Sequence, residues 1–282
     1  MTAPAINPTS AEGWRGSRGE AWLAALDGYE TMLRALGEAL LERATLLPGQ
    51  SVLDIGCGGG WTSREAARMV GAQGEVHGID IAPMLIDEAR ARAAQITHLA
   101  FHCADAASDP LPIELADRMI SRLGVMFFAD PPSAFARLRN LLKSGGQLDW
   151  AVWAPAADNP WMGGVRPIVE RHVTLPPLAP DAPGPFSLAE PAKVQSALLD
   201  AGFGAIDIAE WRGTIAPGGH HDPEMAADFA LTSFSFGPPF DYAEPKVRER
   251  IRHDLVEFFA SHLADGQLAI PARAWLVRAV IS

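Results

Sequence analysis

The chain is poor in the residue types that several kinds of binding site require. It has only two cysteines, Cys57 and Cys103, and only three lysines, and its net charge is −11 with a pI near 5.1. Two cysteines without a paired spacing exclude a thiolate metal site and are typical of a reducing cytosol. Because the arginines are scattered along an acidic chain, no basic stripe is available to neutralise the phosphates of a nucleic acid.

Other features that the sequence lacks concern membranes, export and metal or hydrolytic chemistry. No apolar run approaches the length of a membrane span, and the first residues have neither the basic region nor the apolar core of an export signal. No serine elbow, glycine–lysine phosphate turn or metalloprotease histidine pair occurs. We therefore expect a cytoplasmic protein without a metal site, while the sequence indicates no oligomeric state. Its 282 residues, nearly half of them apolar, suffice for one large core with an added cap.

The rest of the chain is organised around the stretch from Ser51 to Trp61. Its first residues form a short apolar run that predicts a buried parallel strand, and an amphipathic helix follows the stretch. Between strand and helix lies a turn with glycines at positions 56, 58, 59 and 60, where main-chain amides can approach a ligand without a Cβ in the way. A strand, a glycine turn and a helix in this order begin a nucleotide-binding βαβ unit.

Two spacings indicate which kind of nucleotide is bound. A dinucleotide fingerprint requires a third glycine at the position that Trp61 occupies. Asp54, at the end of the first strand, directs a carboxylate towards the ligand, which suits an amine-bearing ligand and repels phosphate. Asp80 ends the second apolar strand, where an acidic side chain can hold both hydroxyls of a ribose. An NAD(P)-binding oxidoreductase of the Rossmann type remains the alternative.

The motif Asp54-Ile-Gly-Cys-Gly-Gly-Gly60, followed by Gly78-Ile-Asp80-Ile-Ala-Pro-Met84, resembles the class I S-adenosylmethionine-dependent methyltransferases. Within them it is closest to the small-molecule branch, which is similar to the quinone C-methyltransferases. The resemblance covers residues 50–153 and, more weakly, residue 190 to the C-terminus. It implies an α/β fold with a doubly wound, mostly parallel seven-stranded sheet (the Rossmann-like methyltransferase fold) and helical cap insertions. It also implies S-adenosyl-L-methionine as the cofactor and S-adenosyl-L-homocysteine as its product.

The resemblance further implies which residues contact the cofactor. Asp80 is expected to reach the ribose hydroxyls, and Asp105 to accept a hydrogen bond from the adenine amine, with the main-chain amide of Ala106 facing the ring. The alternative for Asp105 is that it only caps a loop. Arg122 follows the fourth strand, in the loop beside the cofactor. The residues expected at the cofactor are Asp54, Gly56, Cys57, Gly58, Trp61, Asp80, Ile81, Met84, Asp105, Ala106 and Arg122.

Segments outside this pattern predict a cover over the cofactor. Residues 1–48 are expected to form an N-terminal helical lid, loose up to residue 18 and helical from Glu20, on a methyltransferase domain of residues 49–282. Insertions are expected at about 154–188 and 213–267. Their proline and aromatic residues indicate a small apolar or aromatic acceptor, or alternatively the packing of the insertions on the core. The residues expected in the acceptor pocket are Trp14, Trp22, Trp161, Met162, Phe234 and Phe236.

Methyl transfer from a sulfonium is an in-line displacement with a good leaving group, so the protein mainly supplies position and excludes water. A hydroxyl acceptor would require a general base, for which His220 is the candidate. Alternatively, Asp222 is the N-cap of a helix and His220 only precedes it. The sequence does not indicate whether oxygen, nitrogen, sulfur or carbon is methylated. A regulatory protein that binds S-adenosylmethionine without catalysis is a further alternative.

One motif resembles a catalytic sequence without its spacing. Asp130-Pro-Pro-Ser133 is similar to the Asp-Pro-Pro-aromatic motif of enzymes that methylate amino groups of nucleobases or glutamine. It stands about ten residues after the fourth strand instead of directly behind it, and serine replaces the aromatic residue. We therefore interpret it as the start of a helix.

Overall fold

The structure is a computed structural model that describes residues 10–177, 182–234 and 236–281. A seven-stranded sheet forms its centre, and a two-stranded hairpin lies apart from it. The strands of the sheet are β1 (Ser51–Ile55), β2 (Glu75–Asp80), β3 (Leu99–Cys103), β4 (Ala116–Arg122), β5 (Leu142–Trp153), β6 (Gly204–Ile215) and β9 (Ile270–Val280), and those of the hairpin are β7 (Leu263–Ala264) and β8 (Gln267–Leu268).

Helices cover both faces of the sheet and its carboxyl edge. They are α1 (Ala11–Arg15), α2 (Ser17–Ala24), α3 (Leu26–Met32), α4 (Arg34–Ala44), α5 (Trp61–Val70), α6 (Pro83–Arg92), α7 (Pro131–Arg139), α8 (Pro160–Gly163), α9 (Val165–Glu170), α10 (Pro191–Asp200), α11 (Pro223–Ser233), α12 (Pro238–Asp241) and α13 (Pro245–Ala260). Short 3₁₀ turns occur at Gly124–Phe127, Ala156–Asp158 and Pro217–Gly219.

The strand order β3-β2-β1-β4-β5-β9-β6 is that of a doubly wound sheet. Strands β1 to β5 pair in parallel, whereas β9 runs antiparallel to both of its neighbours. From β1 the chain winds outwards to β2 and β3 and then returns to β4 on the other side of β1. The carboxyl ends of β1 and β4 therefore form a topological switch point, where sheets of this kind bind ligands. The predicted fold class is confirmed.

The glycine turn closes α5 onto the sheet. The apolar residues of β1 are almost completely buried, as are Ala66, Ala67 and Val70 on the inner face of α5. Gly60 precedes the helix with φ at +78°, and a Cβ there would lie 2.7 Å from the ring of Phe101. A left-handed backbone with no space for a side chain requires glycine at this position.

The N-terminal segment differs from its prediction. Helix begins at Ala11 and not at Glu20, and the helical run is interrupted at Ala25 and Leu33. The early start has a local reason, because the side chain of Ser10 accepts a hydrogen bond of 3.2 Å from the amide of Gly13 and so caps α1. The prediction of a loose segment is therefore wrong for residues 11–18, and its part for residues 1–9 lies outside the described residues.

The two predicted insertions contain α8 and α9, and α11 to α13 with the hairpin, respectively. Strand β6 continues to Ile215, which pairs with Ile270, so the chain leaves the sheet slightly later than the predicted boundary at 213. Residues 178–181 of the first insertion are outside the described ranges. No helix in the described ranges is both long enough and apolar enough to cross a membrane.

Candidate functional site

A cavity of about 570 Å³ lies at the carboxyl ends of β1 to β4. The glycine turn after β1 lines it, together with the ends of β2 and β3. The N-terminal helices α1 to α3 line a second side, and the 3₁₀ turn after β4 and the first turn of α7 line a third. The topological switch point thus lies at a cavity that one sheet edge and two helical segments line.

Asp80 is fixed across the glycine turn by main-chain hydrogen bonds. Its Oδ2 accepts from the amide of Gly58 at 2.8 Å, and its Oδ1 accepts from the amide of Ala82 at 2.9 Å. Burial raises the pKa of the Asp80 carboxyl, and the amides of Ala82, Gly58 and Ile81 act in the opposite direction. Since an ionised carboxylate has about four acceptor positions, lone pairs remain for two hydroxyl groups of a ligand.

Asp105 occupies the corresponding position after β3. Its Oδ1 accepts from the amide of Ala107 at 2.9 Å, while its own amide donates to Asp109 Oδ2 at 2.9 Å. The structure therefore shows the loop cap that was the alternative for this residue. Asp105 and Ala106 also line the cavity. A contact of Asp105 with an adenine ring remains a prediction.

Asp54, buried behind the turn, and Arg122, partly buried in the cavity lining, attract each other electrostatically. Asp54 is 1% exposed and accepts a hydrogen bond of 2.6 Å from the Ser63 hydroxyl at Oδ2, whereas Oδ1 accepts none from the described residues. Burial raises the pKa of the Asp54 carboxyl to about 6. Burial also lowers the pKa of Arg122 to about 10, against the attraction of Asp54. The Arg122 guanidinium lies 4.9 Å from the centre of the Trp61 ring.

The N-terminal helices contribute aromatic rings to the cavity. Trp22 stacks on Tyr29, with ring centres 3.6 Å apart and planes 8° apart. Trp14 meets Trp22 edge-on at 5.6 Å and Phe127 at 5.1 Å, and Phe127 belongs to the 3₁₀ turn after β4. Rings from both sides of the cavity are therefore in contact, and they form an aromatic wall beside the glycine turn.

The structure brings most of the predicted cofactor residues to this cavity. Those that line it are Gly56, Cys57, Gly58, Asp80, Ile81, Asp105, Ala106 and Arg122, and the predicted acceptor-pocket residues Trp14 and Trp22 line it as well. The cavity thus joins the predicted donor residues to two of the predicted acceptor residues.

Three predicted cofactor residues lie outside the cavity lining. Asp54 is directed towards Ser63 behind the turn. Trp61 packs against α4, where a Cβ on Gly37 would lie 2.5 Å from its ring. Met84 packs against α2, because a Cβ on Gly19 would lie 2.7 Å from its sulfur. These three side chains therefore do not line the cavity, and their contact with the cofactor stays a prediction.

Four predicted acceptor residues also lie outside the cavity, in the core. Trp161 is 1% exposed, donates a hydrogen bond of 3.2 Å to Asn159 and lies 5.9 Å from Phe234, ring centre to ring centre. Phe236 is buried, and Met162 packs on the same core cluster. The alternative that the apolar residues of the insertions bury them on the core is what the structure shows.

His220 does not line the cavity either. Its ring lies against the 3₁₀ turn at Gly218, where a Cβ would be 2.8 Å from it. Asp222 accepts a hydrogen bond of 2.7 Å from the amide of Glu224, so it is the N-cap of α11, as the alternative had it. No histidine lines the cavity within the described ranges. These ranges also contain no cluster of side chains that could hold a metal ion.

Some cavity residues were not predicted from the sequence. Tyr29 is an apolar position of the N-terminal helical pattern, and Glu30 next to it is 8% exposed although it is charged. Asp130 caps α7 by accepting from the amide of Ser133 at 3.3 Å, as the predicted helix start requires, and both residues also line the cavity. The sequence indicates Glu30 only in that a charged residue stands among the apolar positions of the N-terminal helices.

The residues at the cavity fit S-adenosylmethionine, the cofactor that the resemblance implies. Gly56 has φ at +69°, and a Cβ on it would lie 2.7 Å from the Cα of Gly124, so the two loops approach each other closely here, and both glycines line the cavity. Asp80 retains lone pairs for a ribose. Acidic side chains outnumber the single arginine among the lining residues, which favours a cofactor with a sulfonium and an ammonium group.

Comparisons with known proteins agree with this fit. A family described as a methyltransferase domain matches residues 52–146, which contain β1, the glycine turn and Asp80. Aklanonic acid methyltransferase of a Streptomyces species (strain C5) is 35% identical over 149 residues, which are 52% of this chain and 64% of that protein. The alignment therefore spans less than two thirds of that relative. Nocamycin O-methyltransferase of Saccharothrix syringae is 26% identical over 257 residues, or 83% of this chain and 86% of that protein.

A solved structure has the same fold. It is phosphoethanolamine N-methyltransferase 2 of Haemonchus contortus in complex with S-adenosyl-L-methionine, with a TM-score of 0.57 and 16% identity. The comparison covers 98% of this chain and 60% of that chain. At this identity the similarity concerns the arrangement of strands and helices.

Proposed function

We propose that this chain, a class I S-adenosylmethionine-dependent methyltransferase, transfers the methyl group to an ionised oxygen of a small apolar or aromatic acceptor. The observation that supports this most is the composition of the cavity. Asp80 and the glycine turn share one space with the rings of Trp14, Trp22 and Phe127. An acceptor beside the cofactor therefore packs against aromatic surfaces, which favour flat apolar molecules.

The proposal of an ionised oxygen rests on the titratable groups around the cavity. No histidine lines it in the described ranges, and hydrogen bonds from main-chain amides hold the carboxylates of Asp80, Asp105 and Asp130. The fourth carboxylate of the lining, Glu30, forms ion pairs with Arg64 and Arg92. A carboxylate, an enolate or an acidic phenolate needs no general base, because it has lost its proton at neutral pH. The names of two relatives, an aklanonic acid methyltransferase and a nocamycin O-methyltransferase, are compatible with such an acceptor.

In this mechanism the protein aligns the reactants and excludes water. S-adenosylmethionine, when bound, supplies a methyl group on a positively charged sulfur. Asp80 holds the ribose and Asp105 lies at the adenine side. Trp14 and Trp22 would hold the acceptor against their rings with its oxygen towards the cofactor. Alignment of this kind supplies about 7–11 kcal/mol of a reaction barrier in favourable cases.

Labelled S-adenosylmethionine tests the proposal with matched aromatic acceptors that differ in one group: a carboxylic acid, its amide, a neutral alcohol and an amine. We expect the methyl ester of the carboxylic acid by mass spectrometry and no labelling of the amide or of the neutral alcohol. The rate should rise with pH as the acceptor ionises and then stay constant. Methylation of the amine or of carbon in preference to oxygen would contradict the proposal. Binding of S-adenosylhomocysteine without turnover of any acceptor would favour the regulatory alternative.

We also propose that the protein acts in the cytoplasm on a small molecule and not on a nucleic acid. Cys57 and Cys103 are unpaired, as in a reducing compartment. The net charge of −11 disfavours binding to a polyanion. We expect that immobilised DNA or RNA does not retain the protein, at low or at high salt concentration.

A further inference from the structure

Glu30, on α3, is a buried charged residue at the cavity with an incomplete set of hydrogen bonds. It is 8% exposed and lines the cavity. Its Oε2 lies 3.2 Å from Arg92 Nη1 and 3.5 Å from Arg64 Nη2. Its Oε1 is buried and accepts no hydrogen bond from any residue in the described ranges. A buried carboxylate oxygen without a donor is unfavourable, so this atom is suited to a donor that a ligand brings.

The unpaired oxygen of Glu30 lies close to the glycine turn. Glu30 Oε1 lies 3.2 Å from the place that a Cβ on Gly59 would occupy. Arg64 links the two segments a second time, because it donates a hydrogen bond of 2.7 Å to the carbonyl of Gly59. The carboxylate of α3 is therefore held directly beside the turn that follows β1.

A cation lies on the same part of the cavity. Arg122 ends β4 and lines the cavity, and it donates a long hydrogen bond of 3.4 Å to the carbonyl of Leu33. The electrostatic attraction of Glu30 reaches the Arg122 guanidinium and favours its charged form. An anion and a cation therefore face one region of the cavity, which is suited to a ligand group that carries both charges.

The sheet order determines which part of the cofactor can reach these residues. Asp80 at the end of β2 and Asp105 after β3 lie on one side of β1, and they suit the ribose and the adenine. Arg122 at the end of β4 lies on the other side of β1. The amino acid part of the cofactor must extend away from the nucleoside, towards β1 and β4. It carries one ammonium and one carboxylate group.

We propose that Glu30 accepts a hydrogen bond from the α-ammonium of this amino acid part, with Arg122 facing its carboxylate. The N-terminal helices then complete the cofactor site as well as cover it. A ligand with the amino acid part should hold α3 in place, whereas a nucleoside without it should not. This inference rests on the cofactor of the matched domain and is independent of the acceptor.

Titration calorimetry without any acceptor tests the inference with two ligands. S-adenosylhomocysteine has the amino acid part, and 5′-methylthioadenosine has the same nucleoside and sulfur without it. Glu30→Gln keeps the size of the side chain and removes its charge. We expect it to weaken S-adenosylhomocysteine binding about tenfold or more, as loss of a charged hydrogen bond does, and to leave 5′-methylthioadenosine binding unchanged. The control Glu20→Gln, at an exposed position of α2, should leave both affinities unchanged.

A structural role of Glu30 predicts a different pattern. If Glu30 only holds α3 through its arginines, Glu30→Gln weakens both ligands by the same factor, and the inference is overturned. Arg92→Gln removes one of these ion pairs without changing a residue that lines the cavity. It should leave the affinity ratio of the two ligands as in the wild type. Because no acceptor is present, failure here and failure of the proposed oxygen methylation are separate results.

Discussion

The hydroxyl of Tyr29 donates a hydrogen bond of 3.0 Å to the main-chain carbonyl of Ser233, which is 204 positions further along the chain. Arg18 donates to the same carbonyl. Arg18 and Tyr29 belong to the N-terminal helices, whereas Ser233 ends α11 in the second insertion. Two segments that lie outside the matched domain of residues 52–146 are therefore joined to each other beside the cavity.

Tyr29→Phe should loosen both segments together. The variant loses one buried hydrogen bond, which costs about 0.5–1.5 kcal/mol of the free energy of unfolding in a denaturant titration. Arg18 still satisfies the carbonyl of Ser233, so the cost should not exceed this range. Hydrogen exchange should become faster in residues 11–32 and also in residues 223–233. Faster exchange in the first range alone would contradict a coupled cover.

Asp80→Asn should weaken binding of S-adenosylhomocysteine by about 1–3 kcal/mol, or roughly tenfold to a hundredfold, in calorimetry. The Asn side chain keeps an acceptor oxygen for only one of the main-chain amides of Gly58 and Ala82, which donate to different oxygens of Asp80, and it loses the charged acceptor for the ribose. NAD should bind neither the wild type nor the variant. An affinity equal to that of the wild type would remove Asp80 from the cofactor site.

The free energy of unfolding should depend on pH through Asp54. Its pKa is about 6 in the folded protein, above the ordinary value of 3.8, because burial disfavours the charged form. The folded state therefore binds more protons between these values, and this contribution to stability is present below about pH 4 and is lost as the pH rises through about 6. Its size is about 2–3 kcal/mol. The Asp54→Asn variant should lack this contribution. The difference in free energy of unfolding between the wild type and the variant should therefore change by about 2–3 kcal/mol between acidic and neutral pH.

Gly60→Ala should lower the free energy of unfolding by more than the cost of placing alanine in a left-handed backbone conformation. A Cβ at Gly60 would lie 2.7 Å from Phe101 and 3.1 Å from Ala89. Gly145 is a matched control, because its φ is +74° and a Cβ there would meet nothing within 4 Å. We expect a cost of about 1 kcal/mol for Gly145→Ala and a further 1–3 kcal/mol for Gly60→Ala in denaturant unfolding. Equal costs would show that the turn can relax away from Phe101.

His220→Ala should leave the rate of methyl transfer to an acidic acceptor unchanged within error. The ring lies against the 3₁₀ turn at Gly218 and outside the cavity, so it cannot accept a proton from an acceptor beside the cofactor. A general base contributes about a hundredfold or more, which a rate assay detects readily. A loss of that size with unchanged binding of S-adenosylhomocysteine would return His220 to a catalytic role.

Local sequence was sufficient for the sheet and for placing the glycine turn and Asp80 at its carboxyl edge. The strands from β1 to β4 follow from short apolar runs, and the turn between β1 and α5 follows from glycines at positions where the backbone is left-handed. Asp80 could be placed because it ends a parallel strand, and the carboxyl ends of parallel strands lie at the same edge of the sheet. In each case the physical cause acts over a few neighbouring residues, so the pattern is visible in the sequence.

The cover over the cavity depended on contacts between distant segments. Trp14 and Trp161 are both tryptophans that the sequence predicts in the acceptor pocket. In the structure Trp14 lines the cavity, whereas Trp161 is 1% exposed in the core. Breaks of one residue at Ala25 and Leu33 set the direction of α3 and thus bring Glu30 to the glycine turn. Composition and periodicity predict that such residues are buried. Which surface buries them is a property of tertiary packing, because it is determined by partners that lie far away in the sequence.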